Sequence, residues 1–162
     1  MSNFFEGIST TDSAGKGNSS SFFTDGTYRC IVNVFKAWPS ENPKRAGQPM
    51  VCIEVNVLEV LQATEGSLQV GRGAKVIETL ERALNGSLTP KGENAMGRVK
   101  QFVEEVLGGT SECGDITGEI VEALTEGDGQ SIKGIVIDAQ AETIHFENGG
   151  EWTKVTWFNV PE

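Results

Sequence analysis

From Met50 to Leu61 apolar and polar side chains alternate almost without a break: Val51, Ile53, Val55 and Val57 fall on one side, Cys52, Glu54 and Asn56 on the other. A period of two marks a strand with one buried face and one wet face. A single strand or hairpin is marginal in water, so the rest of the chain must supply a larger sheet. Residues 27–37 alternate in the same way. Tyr28, Cys30, Val32 and Val34 form the predicted core face, and Arg29, Ile31, Asn33 and Phe35 point outward. Between the two strands, residues 39–49 carry three prolines and a glycine, which defeat a ladder and make a loop with Lys44-Arg45 at its tip. A turn at Glu65-Gly66 leads to Leu68-Gln69-Val70, and Gly71-Arg72-Gly73 bends the chain before a third strand at Lys75-Val76-Ile77.

The period changes after residue 88. Thr89 is a good N-cap and Pro90 suits the first helical position. Met96, Val99, Phe102, Val103, Val106 and Leu107 recur at helical spacing, and Gly108-Gly109 ends the run. A shorter helix is predicted over 115–125 on Ile116, Ile120, Val121 and Leu124. Strands return from Ile132 through Ile137 toward Phe146, turn at Asn148-Gly149-Gly150, and close with Glu151 to Val160. In that last strand Trp152, Lys154, Thr156 and Phe158 share one face and Thr153, Val155, Trp157 and Asn159 the other; a one-residue slip would exchange them. The expectation is one mainly-β domain over 26–162 with a helical insertion at about 89–125. A flexible arm, 1–25, precedes it, because the small polar residues of 9–21 cannot offset the cost of ordering. Phe4-Phe5 at the head of the arm can dock on their own core or on a neighbouring subunit, which would make a homo-oligomer.

At 162 residues, with 38% hydrophobic and 22% charged content, the chain matches a globular domain of ordinary size. No apolar run approaches the roughly 20 residues a membrane helix needs, and the N-terminus lacks a secretory pattern; no membrane partner and a cytoplasmic location are expected. Cys30, Cys52 and Cys113 are too few and too irregular for a disulfide framework. With a single His145 they offer no zinc ligand set, so no metal or cofactor is expected. Enzyme signatures are missing: there is no Walker loop and no Gly-x-Ser-x-Gly, His145 has no visible nucleophile, and Glu104-Glu105 occupy adjacent helical positions that do not converge. The chain reads as a binding protein and not as an enzyme.

Its net charge of −10 is unevenly spread. Residues 1–100 hold 11 Lys and Arg against 10 Asp and Glu, whereas residues 101–162 hold 2 against 13. The acid belongs largely to the helical segment and the strands after it, which leaves the first strands free to meet a polyanion. On the predicted outer faces stand Arg29, Phe35, Trp152, Lys154 and Phe158, with Lys36, Trp38, Lys44 and Arg45 at the end of the first strand and Arg72 and Lys75 near the third. Aromatic faces that stack bases and cations that track phosphates are what single-stranded nucleic acid requires.

The order of strand, loop, long strand, strand, helical insertion, strand, hairpin and strand is that of a five-stranded Greek-key OB barrel. The chain resembles phage-encoded single-stranded DNA-binding proteins of that fold. The likeness lies in the polar start Met1-Ser2-Asn3-Phe4-Phe5, Gly26-x-Tyr28, Met50-Val51-Cys52-Ile53-Glu54, Gly97-Arg98-Val99-Lys100-Gln101-Phe102 before Gly108, and Trp152-Thr153-Lys154-Val155. The resemblance implies coating of exposed DNA strands in replication or recombination, with little sequence preference, in the host cytoplasm. It departs in ending Phe158-Asn159-Val160-Pro161-Glu162 without an acidic tail. The rival expectation is an acidic protein–protein module, a virion component or DNA mimic, whose helical segment attracts basic proteins.

Overall fold

The computed structural model describes residues 4–10 and 20–161. The alternating segments form one antiparallel sheet of five long strands: β2 (Gly26–Pro39), β3 (Pro49–Gln62), β4 (Gly73–Thr79), β5 (Val136–His145) and β6 (Glu151–Asn159). A two-residue strand, β1 (Ser20–Ser21), lies on the outer edge of β4, giving the order β1-β4-β3-β2-β5-β6. Two helices interrupt the strands, α1 (Pro90–Val106) and α2 (Gly118–Thr125). Each starts on a threonine cap: Thr89 accepts from the Gly92 N–H and Thr117 from the Ile120 N–H. No helix is long and apolar enough to cross a membrane.

The inward residues of β3 are those the alternation marks, Val51, Ile53, Val55 and Val57. In β2 the alternation breaks. Tyr28, Cys30 and Val32 face inward, but pairing shifts between Val32 and Val34, leaving Asn33 as the extra residue of a bulge. Beyond it the faces exchange. Phe35, expected on the outer face, is fully buried and packs in a tilted pair with Phe102 of α1, ring centroids 5.2 Å apart, while Val34 turns outward. Phe102 meets Trp157 of β6 at 5.0 Å, and Trp157 meets Phe23 at 5.8 Å, so one aromatic chain runs through the core. Phe5, Ile8 and Phe23 lie in that core, which therefore reaches into the segment assigned to the arm. Residues 11–19, most of the expected connector, lie outside the described residues.

The five-stranded barrel expected from the strand order does not close: among the described residues no pairing joins β6 to β4. α1 touches both strands instead. Gln101 acts as a substitute strand neighbour for β6, its amide donating to the Trp157 carbonyl and accepting from the Trp157 N–H at 2.9 Å. Glu105 accepts from the Asn159 N–H at 3.0 Å, and its carbonyl accepts from the Asn159 amide at 2.8 Å. These contacts satisfy edge groups that would otherwise invite another strand. From the same helix, Arg98 donates Nε and Nη2 to the Glu78 carboxylate of β4 at 2.8 and 3.0 Å.

The start of α1 presses on the chain leaving β4. A Cβ on Gly92 would overlap the Glu81 backbone, lying 2.8 Å from its N and carbonyl C. Gly92→Ala is expected to cost about 2 kcal/mol or more, because backbone and not a flexible side chain must yield. Urea unfolding of the variant checks this as a lowered midpoint at unchanged slope.

Candidate nucleic-acid interface

Strand pairing fixes which outward side chains stand together on β2, β3 and β4. Trp38 is opposite Met50, and Met50 opposite Thr79; Lys36, Cys52 and Ile77 form the next row, and Val34, Glu54 and Lys75 the third. Past β1 the chain continues along the β4 edge, where the Phe22 N–H donates to the Lys75 carbonyl at 2.9 Å. Phe23 turns into the core and Phe22 stays outside, 56% exposed. Two matched pairs result. The Lys36 ammonium lies 5.5 Å from the Trp38 ring centroid, and the Lys75 ammonium 5.0 Å from that of Phe22. Three strand spacings of about 4.8 Å and four residues of about 3.3 Å place the pairs roughly 20 Å apart across the sheet.

Between them lie Met50 and Cys52, both buried, with Ile77 partly exposed. Burial pushes the Cys52 thiol up from its ordinary range and Glu54 adds to this, while Lys36 and Lys75 pull it back, so both ammonium groups act on the centre of the patch. Arg72 lines a cleft of about 440 Å³ with Phe22, Thr24, Glu54, Leu68 and Lys75. At the Trp38 end the loop after β2 holds Lys44, exposed, in a short 3-10 turn where its own N–H donates to the Asn42 Oδ1 cap at 2.9 Å.

Of the residues singled out from sequence, Lys36, Trp38 and Lys75 share this face, and Arg72 and Lys44 border it. The Arg45 side chain lies outside the described residues. Arg29 faces the other flank of β2 and is held by Asp138 of β5, its Nε and Nη2 at 2.9 and 3.2 Å from the carboxylate. It borders a larger cleft, about 880 Å³, whose walls are mostly aliphatic side chains and backbone from the end of α1 and the C-terminal segment. A neutralised cation beside aliphatic walls offers a polyanion little, so the candidate interface is the face of β2, β3 and β4 that the smaller cleft borders. Lys154 is exposed on β6, two strands from β2 and opposite Glu142. Trp152, expected on an open face, is 8% exposed and packs against Arg98, whose guanidinium carbon is 5.6 Å from the ring. α1 alongside β6 covers it, which an alternation along β6 alone does not reveal. Phe35 is lost to the core because the bulge at Asn33 exchanges the faces of β2.

Phe22 is a candidate-site residue that sequence reading missed. Its signal is present: adjacent aromatics in extended chain must face opposite sides, so one of Phe22 and Phe23 had to be left outside.

No family profile, curated protein or solved structure matches this chain.

Proposed function

We propose that the protein binds single-stranded DNA, with little sequence preference, across the outer face of β2, β3 and β4. One observation carries the reading: two accessible aromatic rings, each with an ammonium group beside it, stand at opposite corners of one sheet face. Bases stack on the rings and phosphates track Lys36, Lys75, Arg72 and Lys44; a span of roughly 20 Å suits about four nucleotides, the lower end for one OB domain. The order β4-β3-β2-β5-β6, with helices between the third and fourth long strands, agrees with an OB-type fold whose closing strand pair is replaced by α1. The second and third long strands of an OB domain, with the loop between its first and second, are where such domains hold oligonucleotides. Here those parts carry Lys75 and Lys44. The biological setting we propose, coating of strands exposed in phage DNA replication or recombination, rests on the sequence resemblance alone.

Fluorescence anisotropy with a labelled oligothymidylate tests the reading. Four phosphate contacts predict that the logarithm of affinity falls with the logarithm of salt at a slope of about −3. Affinity indifferent to salt, or absent at low salt, sinks it and leaves the acidic helical surface, with a basic protein partner, as the better account.

A further inference from the structure

We infer that the cleft beside Phe22 is a guanine subsite, in which the Glu54 carboxylate accepts from the Watson–Crick edge of one unpaired guanine of the bound strand. This rests on single-strand binding at the β2, β3 and β4 face and adds a base preference at one position of it.

A carboxylate is out of place on a face that meets a polyanion, yet Glu54 stands within it. Strand pairing puts Glu54 between Val34 and Lys75, and it lines the cleft of about 440 Å³ together with Phe22, Arg72 and Lys75. That volume is ordinary for a small-ligand site. Glu54 is not spent on neutralising its neighbours. Among the described residues neither Lys75, directly opposite in the ladder, nor Arg72 forms an ion pair with it. Its hydrogen-bond donor is Asn33 instead, whose Nδ2 lies 3.3 Å from Oε2. Asn33 is the extra residue of the β2 bulge, so the irregularity that exchanges the faces of β2 also steadies this carboxylate. Oε1 carries no hydrogen bond among the described residues, and the side chain is only half-buried.

The cleft thus offers an unpaired base an exposed ring, cations and an oriented carboxylate. Stacking on Phe22 is open to any base, so it selects none. The carboxylate does select, because unpaired bases present their Watson–Crick edges. Guanine alone sets two neighbouring donors there, N1–H and N2–H, which a carboxylate accepts as a bidentate, charge-assisted pair. Beside them lies the O6 acceptor, and Lys75 and Arg72 of the same cleft are the cations that suit it. Thymine places its one N–H between two carbonyl oxygens, which repel a carboxylate. Cytosine and adenine set a ring-nitrogen acceptor next to their amino group, with the same consequence. The Trp38 end lacks this device: the rows Trp38-Met50-Thr79 and Lys36-Cys52-Ile77 contain no carboxylate. The preference therefore falls on one position, and the rest of the strand is held without one.

The test uses the full chain and a short labelled oligothymidylate, compared with the same strand carrying one guanine, hypoxanthine, adenine or cytosine in its middle. The guanine strand is expected to bind about tenfold tighter than oligothymidylate, and the adenine and cytosine strands to match it within about twofold. Hypoxanthine keeps N1–H but lacks the N2 amino group, so most of the gain should go. The readout for Glu54→Gln is the ratio of guanine-strand to oligothymidylate affinity, which should fall to about one; a merely structural loss would lower both affinities and keep the ratio. Thermal melts confirm that the variant is folded. Equal affinity for all the strands, or a guanine gain that survives Glu54→Gln, overturns the inference and leaves single-strand binding standing. Binding of none of the strands overturns both. Deoxyguanosine monophosphate serves as a competitor: if it alone binds as tightly as the guanine strand, the cleft is a site for a free nucleotide and the inference fails.

Discussion

Replacing Trp38 and Phe22 together by alanine is expected to reduce affinity for oligothymidylate by about 25-fold or more while leaving the protein folded. Each base stacked on an aromatic ring is worth about 1–3 kcal/mol, or about 5- to 150-fold in affinity. The rings are far enough apart, roughly 20 Å, for their losses to add. Phe22 is mostly exposed and Trp38 half-buried, so the cost in stability should stay within about 1 kcal/mol. Phe35→Ala is the contrasting control. That ring is fully buried between sheet and α1, and its loss should cost about 3–5 kcal/mol of stability. Anisotropy titrations paired with thermal melts separate the two behaviours. A double variant that binds as tightly as the parent protein rules out the face we assign.

The contrast between Trp38 and Phe35 also shows where the sequence is legible and where it is not. Alternation in β3 and helical spacing in α1 survive folding because burial on one face repeats without interruption there. Thr89 and Thr117 cap the helices because a hydroxyl before an apolar run satisfies a free N–H, a purely local requirement. Phe35 fails for a non-local reason. A bulge at Asn33 exchanges the faces of β2, and nothing in the spacing of its residues marks the extra one. The same exchange puts Lys36 and Trp38 on a common outer face, so the proposed interface depends on the irregularity that alternation cannot show. Trp152 fails because burial of an edge-strand residue depends on what packs alongside, here Arg98 of α1. Arg29 reads as a free cation until pairing brings Asp138 next to it, 109 residues away in sequence. Local chemistry is written in the chain one residue at a time; long-range pairing is not.

Glu78 is the other residue whose part only the assembled fold discloses, and loss of its partner offers a stability effect as large as that of Phe35. It belongs to the inward row of β4 with Ala74 and Val76, is 2% exposed, and has Arg98 of α1 as its hydrogen-bond partner. Burial pushes its carboxyl up from 4.5 to about 7, against the opposing pull of Arg98. The folded state therefore holds this proton more tightly than the unfolded chain. Stability from this group is greatest in acid and falls as pH rises from about 4.5 to about 7, by about 3 kcal/mol. Glu78→Gln should flatten that part of the profile, seen as the difference between variant and parent in urea unfolding across pH 4.5–8. Removing only the cation is worse. Arg98→Met leaves a buried carboxylate without its partner and is expected to cost about 3–5 kcal/mol at pH 8. The loss should shrink toward pH 5, where Glu78 takes up a proton and needs no counter-charge. The double variant Glu78→Gln/Arg98→Met should recover most of the stability at pH 8, since a buried charge without a partner is what the single change creates. If Arg98→Met costs the same at both pH values and the double variant recovers nothing, the effect is lost packing against Trp152. In that case α1 is held in the seam between β4 and β6 by Gln101, Glu105 and the aromatic core, and not by the ion pair.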